Sequence, residues 1–229
     1  MASTNDYRHI SAEQSELDLP AGKVICVGRN YADHAKELGN DVPSEPVLFI
    51  KPATALVNWQ SAVSIPTTLG ECHHELELAL LIGTRLCNAQ VEEAAQSIKA
   101  VTLALDLTMR DVQAKLKSTG KPWELAKAID CSCPVADWHS LPSLEWLDKA
   151  QFKLTINGEL RQAGNSQHML WPALDLIAYI SRYFTLLPGD IVLTGTPAGV
   201  GPLQSGDRLV AELNSIFSFE SEVKCNERF

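Results

Sequence analysis

The segment from Cys72 to Gly83 constrains the fold more than any other stretch, because it joins an apolar run to two carboxylates. Side chains two positions apart in a β-strand share a face, so Glu75 and Glu77 would project together. The alternating apolar side chains would face a core on the other side; they are Leu76, Leu78, Leu80 and Ile82. Neighbouring carboxylates repel each other unless they face water or hold a cation. The segment therefore predicts a strand beside a core and leaves both alternatives open.

Composition indicates a globular chain that is large enough for a substantial core. The 229 residues are 45% hydrophobic and 21% charged, which is ordinary for one large domain, with or without a small N-terminal piece. The net charge of −9 is spread without a run of one sign, so we expect no nucleic-acid partner. The chain has no apolar run of bilayer length, and its start lacks the apolar core of a signal peptide. We therefore expect a soluble protein with no membrane partner.

The six cysteines show no paired C-x-x-C spacing. A zinc knuckle or a thioredoxin-type motif is therefore not supported. Most of the cysteines lie in apolar surroundings, so we expect reduced, largely buried thiols and a cytoplasmic location.

A first pair of chemically interesting residues follows the N-terminal strand. Residues 23–28 predict a short buried strand, and residues 29–39 predict one or two helical turns that end at Gly39. On such turns His34 and Glu37 are neighbours, and a carboxylate beside an imidazole can orient it as a general base. The same spacing is common for two solvated side chains, so the pattern alone leaves both interpretations open.

A helix and a strand then lead to a third acidic residue. Asn88 is a plausible N-cap for a helix from about Val91 to Ala100. The next five residues, 101–105, are apolar except for one threonine and predict a buried strand with Asp106 at its C-terminal end. Strand ends are frequent positions for functional side chains in mixed sheets.

Two more polar features follow Asp106. The segment Thr108–Asp111 resembles a capping box and predicts a helix with Arg110 and Gln113 on neighbouring faces beside that aspartate. Further on, Lys127 stands among small and apolar residues. The pattern fits a lysine that extends to the surface as well as a functional lysine.

The second half of the chain is predominantly β in pattern. Residues 152–161 alternate around an Asn-Gly pair and predict a hairpin, and residues 208–223 predict another. Between them we expect an amphipathic helix over residues 172–182 and a strand over residues 191–194. The glycine-rich loop that follows lacks the features of a nucleotide-binding loop, but its backbone N–H groups or Thr196 can approach an anion.

Three carboxylates on neighbouring strands form an all-oxygen ligand set, namely Glu75, Glu77 and Asp106. Such a set suits a hard cation such as Mg²⁺ or Mn²⁺, and Ca²⁺ is also compatible. The chain contains no Gly-x-Ser-x-Gly elbow and no evident Cys–His pair. Metal-assisted chemistry is therefore favoured over a covalent acyl-enzyme.

Six motifs carry a family resemblance. They are Val27–His34 (VGRNYADH), Glu45–Pro52 (EPVLFIKP), His73–Glu77 (HHELE), Leu105–Gln113 (LDLTMRDVQ), Leu125–Lys127 (LAK) and Leu193–Pro202 (LTGTPAGVGP). In this order and spacing they resemble the fumarylacetoacetate hydrolase family. The greatest similarity is to its short acylpyruvase branch, whose members are also described as oxaloacetate tautomerases or decarboxylases.

The resemblance implies an α+β fold, with a mixed β-roll or sandwich core and peripheral helices. It implies a variable N-terminal segment, residues 1–22, before a single catalytic domain, residues 23–229, that forms a homodimer. It also implies roles for the residues named above. These are a Mg²⁺ or Mn²⁺ site at Glu75, Glu77 and Asp106, a catalytic His34/Glu37 pair on a lid, a catalytic Lys127, and substrate contacts from Arg110, Gln113 and Thr196.

The function implied first is hydrolysis of the carbon–carbon bond of acylpyruvates, such as acetylpyruvate or fumarylpyruvate, to pyruvate and a carboxylic acid. The first alternative is tautomerisation or decarboxylation of oxaloacetate, since these reactions need the same enolate stabilisation. The second is a 2-hydroxyhepta-2,4-diene-1,7-dioate-type isomerase. A competing hypothesis is a non-catalytic module whose carboxylates hold a structural Ca²⁺ or face water; such a module has no use for a His34/Glu37 pair.

Overall fold

The computed structural model describes residues 7–39, 41–60, 62–214 and 216–226, and within them the chain forms three β-sheets with short helices around them. Elements are numbered in chain order. The largest sheet has seven strands, in spatial order β2 (Val47–Lys51), β1 (Val24–Gly28), β12 (Ile191–Leu193), β6 (Leu76–Ile82), β7 (Ile98–Leu105), β9 (Cys133–Val135) and β3 (Leu56–Asn58). It mixes parallel and antiparallel pairs, since β1 runs parallel to β12 and antiparallel to β2.

A five-stranded sheet packs against the largest one. Its strands are β11 (Glu159–Asn165), β10 (Gln151–Ile156), β14 (Arg208–Leu213), β15 (Phe217–Asn226) and β4 (Val63–Pro66). A small sheet contains β13 (Gly201–Pro202), β5 (Cys72–His74) and β8 (Thr108–Met109). Leucines of β6 and apolar residues of β10 and β14 share one core between the two large sheets. The predicted α+β class with a mixed β core is confirmed.

The helices are short and lie outside the sheets. They are α1 (Ala32–Glu37), α2 (Val91–Ser97), α3 (Arg110–Ser118), α4 (Glu124–Lys127), α5 (Leu144–Leu147) and α6 (Ala173–Tyr183), with 3₁₀ turns at Ala53–Ala55 and Ser166–His168. The amphipathic α6 buries its apolar face and packs on α2. Within the described ranges, no helix has the length and apolar character needed to cross a bilayer.

Strand β6 is buried on both faces, which distinguishes it from a half-exposed strand. Its leucines at 76, 78 and 80 enter the core between the large sheets, whereas Ala79 and Leu81 face a second core on the other side. Residues of the N-terminal segment cover that second core, and Trp138 Nε1 donates a hydrogen bond of 3.2 Å to the Tyr7 hydroxyl there. Residues 7–22 thus contact the sheet; the boundary at residue 22 stays a prediction.

The helix predicted over residues 91–100 is too long. It ends at Ser97, because residues 98–105 form the whole of β7 beside β6. Asn88 is not its N-cap and has a left-handed backbone with φ of 51°. The cap is Gln90, which forms a capping box with Glu93.

The capping box predicted at Thr108–Asp111 is wrong, although the helix exists. Thr108 belongs to β8, and its hydroxyl donates to the Asp106 carbonyl at 3.0 Å. The N-cap is Met109, and the Asp111 carboxylate accepts instead from the Glu71 N–H. Pairing with β5 therefore overrides the local cap signal.

Both hairpins predicted in the second half are confirmed. Asn157 and Gly158 join β10 to β11 with φ of 52° and 83°, the positive values that a two-residue hairpin turn requires. Strands β14 and β15 form the other hairpin. The expectation for the cysteines is half right, since Cys26, Cys72 and Cys133 are buried but Cys87 and Cys225 are exposed.

Candidate active site

The pairing of β6 with β7 brings three carboxylates together. Leu76 pairs with Leu105, so Glu75 and Asp106 lie side by side just beyond these strand ends, and the Asp106 N–H donates to the Glu75 carbonyl at 2.8 Å. Glu77 lies on β6 itself. All three side chains are buried, and their candidate ligand oxygens lie within 4.8 Å of one another. We call Glu75, Glu77 and Asp106 the acidic triad.

Three cations, which we call the triad cations, contact these carboxylates. Lys127 Nζ lies 2.8 Å from Glu75 Oε2 and 2.5 Å from Asp106 Oδ2. Arg110 Nη2 lies 2.6 Å from Glu75 Oε1, and Lys51 Nζ lies 2.8 Å from Asp106 Oδ1. Lys127 is only 3% exposed, so the alternative of a lysine that extends to the surface is wrong.

Burial and charge act on the triad in opposite directions. Burial alone raises the pKa of Glu75, but the adjacent charges of Lys127 and Arg110 outweigh it and hold that pKa well below its usual range. For Glu77, burial and then the charges of Asp106 and Glu75 raise the pKa well above its usual range. Burial lowers the pKa of Lys127, yet Asp106 and Glu75 more than compensate and raise it. The surroundings therefore favour the charged forms of Glu75 and Lys127 and disfavour the charged form of Glu77.

The acidic triad fits a divalent cation. Its ligand atoms are all oxygens, which Mg²⁺ and Mn²⁺ prefer. Asp106 Oδ1 makes no hydrogen bond although Lys51 is near, because that ion pair lacks hydrogen-bond geometry, so the oxygen keeps a free acceptor direction. Glu77 Oε2 accepts a backbone hydrogen bond of 2.7 Å from Gly195, which orients its carboxylate. A buried, oriented set of this kind binds a metal better than a solvated one.

Helix α1 brings the His34/Glu37 pair to the same site. His34 Nδ1 and Glu37 Oε2 are 3.2 Å apart, and His34 is only 4% exposed. The other carboxylate oxygen, Glu37 Oε1, accepts from the Gly199 N–H at 2.9 Å. The helix is therefore tied at its end to the glycine-rich loop. His34 is buried, whereas Glu37 keeps contact with solvent.

The three predicted substrate-binding residues line a cavity in front of the acidic triad. Arg110 Nη1 donates to Gln113 Oε1 at 2.7 Å and Nε donates to His73 Nδ1 at 3.4 Å, so with Nη2 on Glu75 all three guanidinium nitrogens contact protein groups. The Thr196 hydroxyl donates to the Leu76 carbonyl at 2.8 Å and accepts from Gln162 Nε2 at 2.7 Å. Geometry thus brings together every residue that the sequence analysis selected; their roles stay predictions.

The cavity in front of the acidic triad is small. His34, the acidic triad, Lys127 and the aromatic rings of Phe49 and Trp123 line it, and its volume is about 30 Å³. The Lys127 ammonium lies 5.0 Å from the centre of the Phe49 ring, a cation–π distance. A cavity of this size holds only one or two water molecules.

Two buried polar residues of the site were missed in the sequence. Lys51 follows the apolar residues of β2 without exposure to solvent, and a charged residue at the end of a buried strand was the available signal. Gln162 accepts from the Leu76 N–H and contacts His74 through Oε1 at 2.9 Å. No local pattern marks Gln162, because it lies on the alternating, polar strand β11.

Comparisons with known proteins agree on one family. The family model described as fumarylacetoacetate (FAA) hydrolase C-terminal matches residues 23–224. A relative from Escherichia coli (strain K12), oxaloacetate tautomerase YcgM, is 51% identical over 206 residues, which cover 89% of this chain and 93% of the relative. Oxaloacetate tautomerase FAHD1, mitochondrial, from Bos taurus is 43% identical over 88% of this chain and 91% of its own.

A solved structure is similar throughout its length. Fumarylpyruvate hydrolase from Pseudomonas aeruginosa, crystallised in complex with Mn²⁺ and pyruvate, has a TM-score of 0.89 and 33% identity. The alignment covers 99% of both chains.

Proposed function

This chain belongs to the fumarylacetoacetate hydrolase family, and we propose that its reaction is the keto–enol tautomerisation of oxaloacetate. Tautomerisation and acylpyruvate hydrolysis both act on small keto acids, but the relatives at 51% and 43% identity are named oxaloacetate tautomerases. Tautomerisation of oxaloacetate is therefore favoured over acylpyruvate hydrolysis, the function that the family resemblance implied first.

The observation that carries the proposal is the convergence of an imidazole, an ammonium and three carboxylates in one small cavity. Tautomerisation removes a proton from carbon 3 and builds negative charge on the oxygen of carbon 2. A base and a group that stabilises the developing oxyanion are both needed. The cavity supplies candidates for both.

His34 is the proposed base. Its Nδ1 faces Glu37, so Nε2 is the atom left to take the carbon-3 proton. Glu37 keeps the ring oriented and stabilises it when it becomes protonated. In the reverse direction the same nitrogen returns the proton.

Lys127 is the proposed partner of the developing negative charge. Its raised pKa keeps it an ammonium at neutral pH, so it stabilises an enolate oxygen electrostatically. Mg²⁺ or Mn²⁺, held by the acidic triad, would add Lewis-acid stabilisation of the same charge when bound. Arg110, Gln113 and Thr196 would hold the keto-acid end of the substrate in place. The narrow cavity excludes bulk water from the reacting carbon.

Acylpyruvate hydrolysis is the second candidate, and the His34/Glu37 geometry favours it. The same base would take a proton from water, and the hydroxide would attack the distal carbonyl. The carbon–carbon bond beside that carbonyl would then break, releasing a carboxylic acid and the pyruvate enolate, which takes up a proton to give pyruvate. The similar fumarylpyruvate hydrolase also supports this candidate. Decarboxylation of oxaloacetate would use the same enolate stabilisation without a proton acceptor at carbon 3.

The test is a substrate panel with Mg²⁺ and with EDTA. Enol-oxaloacetate is converted to the keto form and followed by its ultraviolet absorbance; pyruvate release from oxaloacetate and from acetylpyruvate is followed with a coupled assay. We expect Glu75→Ala to lose metal binding and all turnover. His34→Ala should keep the metal but lose tautomerisation by about 100-fold or more. Full tautomerase activity of His34→Ala would refute the assigned base, and activity on acylpyruvates alone would refute the proposed reaction.

A further inference from the structure

We propose that Arg29, with Lys117, forms a subsite for the second carboxylate of a diacid, so that the cavity selects dianionic substrates over mono-acids. This inference rests on the proposed function, because it names the substrate class that the same cavity takes.

The charged side chains that line the cavity favour the binding of an anion in addition to the carboxylates of the acidic triad. The triad cations contact Glu75 and Asp106 directly. Arg29 and Lys117 line the same cavity as the triad. Among the described residues that line it, four cationic side chains (Arg29, Arg110, Lys117 and Lys127) thus face three carboxylates. A divalent metal at the triad increases the excess further.

Arg29 is the more informative of the two residues. It is half-buried, and its guanidinium takes part in none of the ion pairs among the described residues. A partly desolvated guanidinium without a carboxylate is unfavourable, and planar guanidinium groups bind carboxylates with two parallel hydrogen bonds. Its surroundings thus suit a carboxylate supplied by a ligand.

The backbone holds Arg29 in a fixed and uncommon conformation. Its φ is 62°, in the left-handed region that non-glycine residues rarely adopt. The next residue, Asn30, is fully buried and fixes the turn, because its side-chain NH₂ donates to the carbonyls of Thr194 at 2.7 Å and Trp171 at 3.1 Å. The arginine is therefore presented to the cavity from a rigid base.

Lys117 approaches from the opposite element, helix α3, one turn beyond Gln113. Burial, and then the charges of Arg29 and Arg110, lower the pKa of Lys117. The three cations are thus close enough to repel one another, and an anion bound between them removes that repulsion.

The position of Arg29 indicates which end of the substrate it takes. Arg29 and the proposed base His34 enter the cavity from the same β1–α1 segment, whereas the acidic triad comes from β6 and β7. A carboxylate held by Arg29 therefore lies on the His34 side. In oxaloacetate the carboxylate at carbon 4 adjoins carbon 3, where His34 would act.

The test uses two stable ligands that differ only in charge at one end. L-malate and its 4-methyl ester share a first carboxylate and a 2-oxygen, and neither can tautomerise. Their dissociation constants are measured by calorimetry in Mg²⁺ on the intact protein, for the wild type, Arg29→Gln, Arg29→Lys and Lys115→Gln. Lys115 is exposed on α3 and serves as the matched control. Thermal unfolding establishes that each variant is folded.

We expect Arg29→Gln to weaken malate binding about 10- to 100-fold and ester binding about 2-fold at most, with Arg29→Lys in between for malate. The KM for oxaloacetate should rise in parallel while kcat changes much less. Equal weakening of both ligands by Arg29→Gln overturns the subsite, whatever the enzyme turns over. Charge-selective loss of malate binding in a protein without tautomerase activity supports the subsite and rejects the proposed reaction instead.

Discussion

Lys51 places a fully buried ammonium directly behind the acidic triad. Besides Asp106, its Nζ contacts the carbonyls of Leu107 and Ser132 at 3.3 and 3.1 Å, and also the carbonyl of Lys127. These carbonyls belong to the segments that carry a triad carboxylate and a triad cation. A single side chain from β2 thus fixes both segments.

We predict that Lys51→Met destabilises the protein by about 3–5 kcal/mol, because the change leaves Asp106 and several carbonyls buried without their cation. The free energy of unfolding in urea measures the effect. The control is Lys153→Met, which breaks the exposed pair with Glu212 and should cost no more than about 1 kcal/mol. Equal losses in the two variants would show that Lys51 has no special structural role.

Glu77 makes the stability of the metal-free protein depend on pH. Its pKa is raised in the folded state, so the folded chain keeps a proton that the unfolded chain releases above the ordinary value of 4.5. Stability from this group is therefore lost as pH rises through the folded-state pKa. The lowered pKa of Glu75 acts in the opposite sense, but only below that same ordinary value.

In EDTA, over a measured range of about pH 5 to pH 8, we therefore expect the melting temperature of the wild type to fall relative to that of Glu77→Gln as the pH rises. The comparison isolates Glu77, because the buried histidines, whose pKa values are lowered, change the pH dependence of both proteins alike. Added Mg²⁺ should raise the wild-type melting temperature more at the upper pH, where the triad carries more negative charge. Differential scanning fluorimetry at constant ionic strength measures both. A wild-type profile that is the same in EDTA and Mg²⁺ contradicts a cation at the triad.

At the scale of elements, the glycine-rich loop and α1 act together through the Gly199 N–H that binds Glu37. Gly199 has φ of 97°, and a Cβ there would collide with the Arg161 carbonyl. Gly158, in the β10–β11 turn, has φ of 83° but open space around it. A side chain at Gly158 would therefore meet only the unfavourable backbone conformation, whereas a side chain at Gly199 would also collide with the neighbouring backbone.

We predict that Gly158→Ala costs about 1–2 kcal/mol of stability with unchanged kinetics, because only its left-handed backbone is penalised. Gly199→Ala should cost more and also lower kcat, since the loop must shift away from Arg161 and release Glu37. Urea unfolding and steady-state kinetics of both variants make the comparison. Identical kinetics in the two variants would show that the loop does not position α1.

Local pattern predicted those elements that depend on neighbours in sequence. The Asn157-Gly158 turn and the His34/Glu37 spacing are of this kind, and both appear in the structure as expected. Errors occur where distant pairing decides the outcome. Thr108 pairs with His73 instead of capping a helix, and Lys51 meets Asp106 from a strand far away in sequence. No periodicity or local motif encodes such contacts, so the ion pair of Lys51 with the triad was not predictable. The triad itself was predictable, because its carboxylates lie at recognisable positions in and after apolar strands.

At the scale of the whole molecule, residues 7–22 pack on the second core, although the family model starts at residue 23. Tyr7 is buried, and His9 contacts the carbonyls of Pro20 and Gly189 at 3.1 and 3.2 Å. We predict that deletion of residues 1–22 uncovers the second core and lowers the melting temperature by several degrees. Thermal unfolding of the truncated and the full-length proteins tests this; equal stability would make the segment dispensable. The homodimer and the cytoplasmic location stay predictions, and sedimentation measures the first.

Strand β15 ends the described chain and pairs in parallel with β4, which lies near the first quarter of the sequence. On the ribosome, β4 emerges roughly 150 residues before its neighbour, an interval of about 10–30 s at usual rates of synthesis. Throughout that interval β4 lacks the strand with which it pairs, and the apolar face of its sheet stays incomplete. We therefore expect truncation products that lack β15 to aggregate more readily than the full-length chain, because they leave the edge of β4 unpaired.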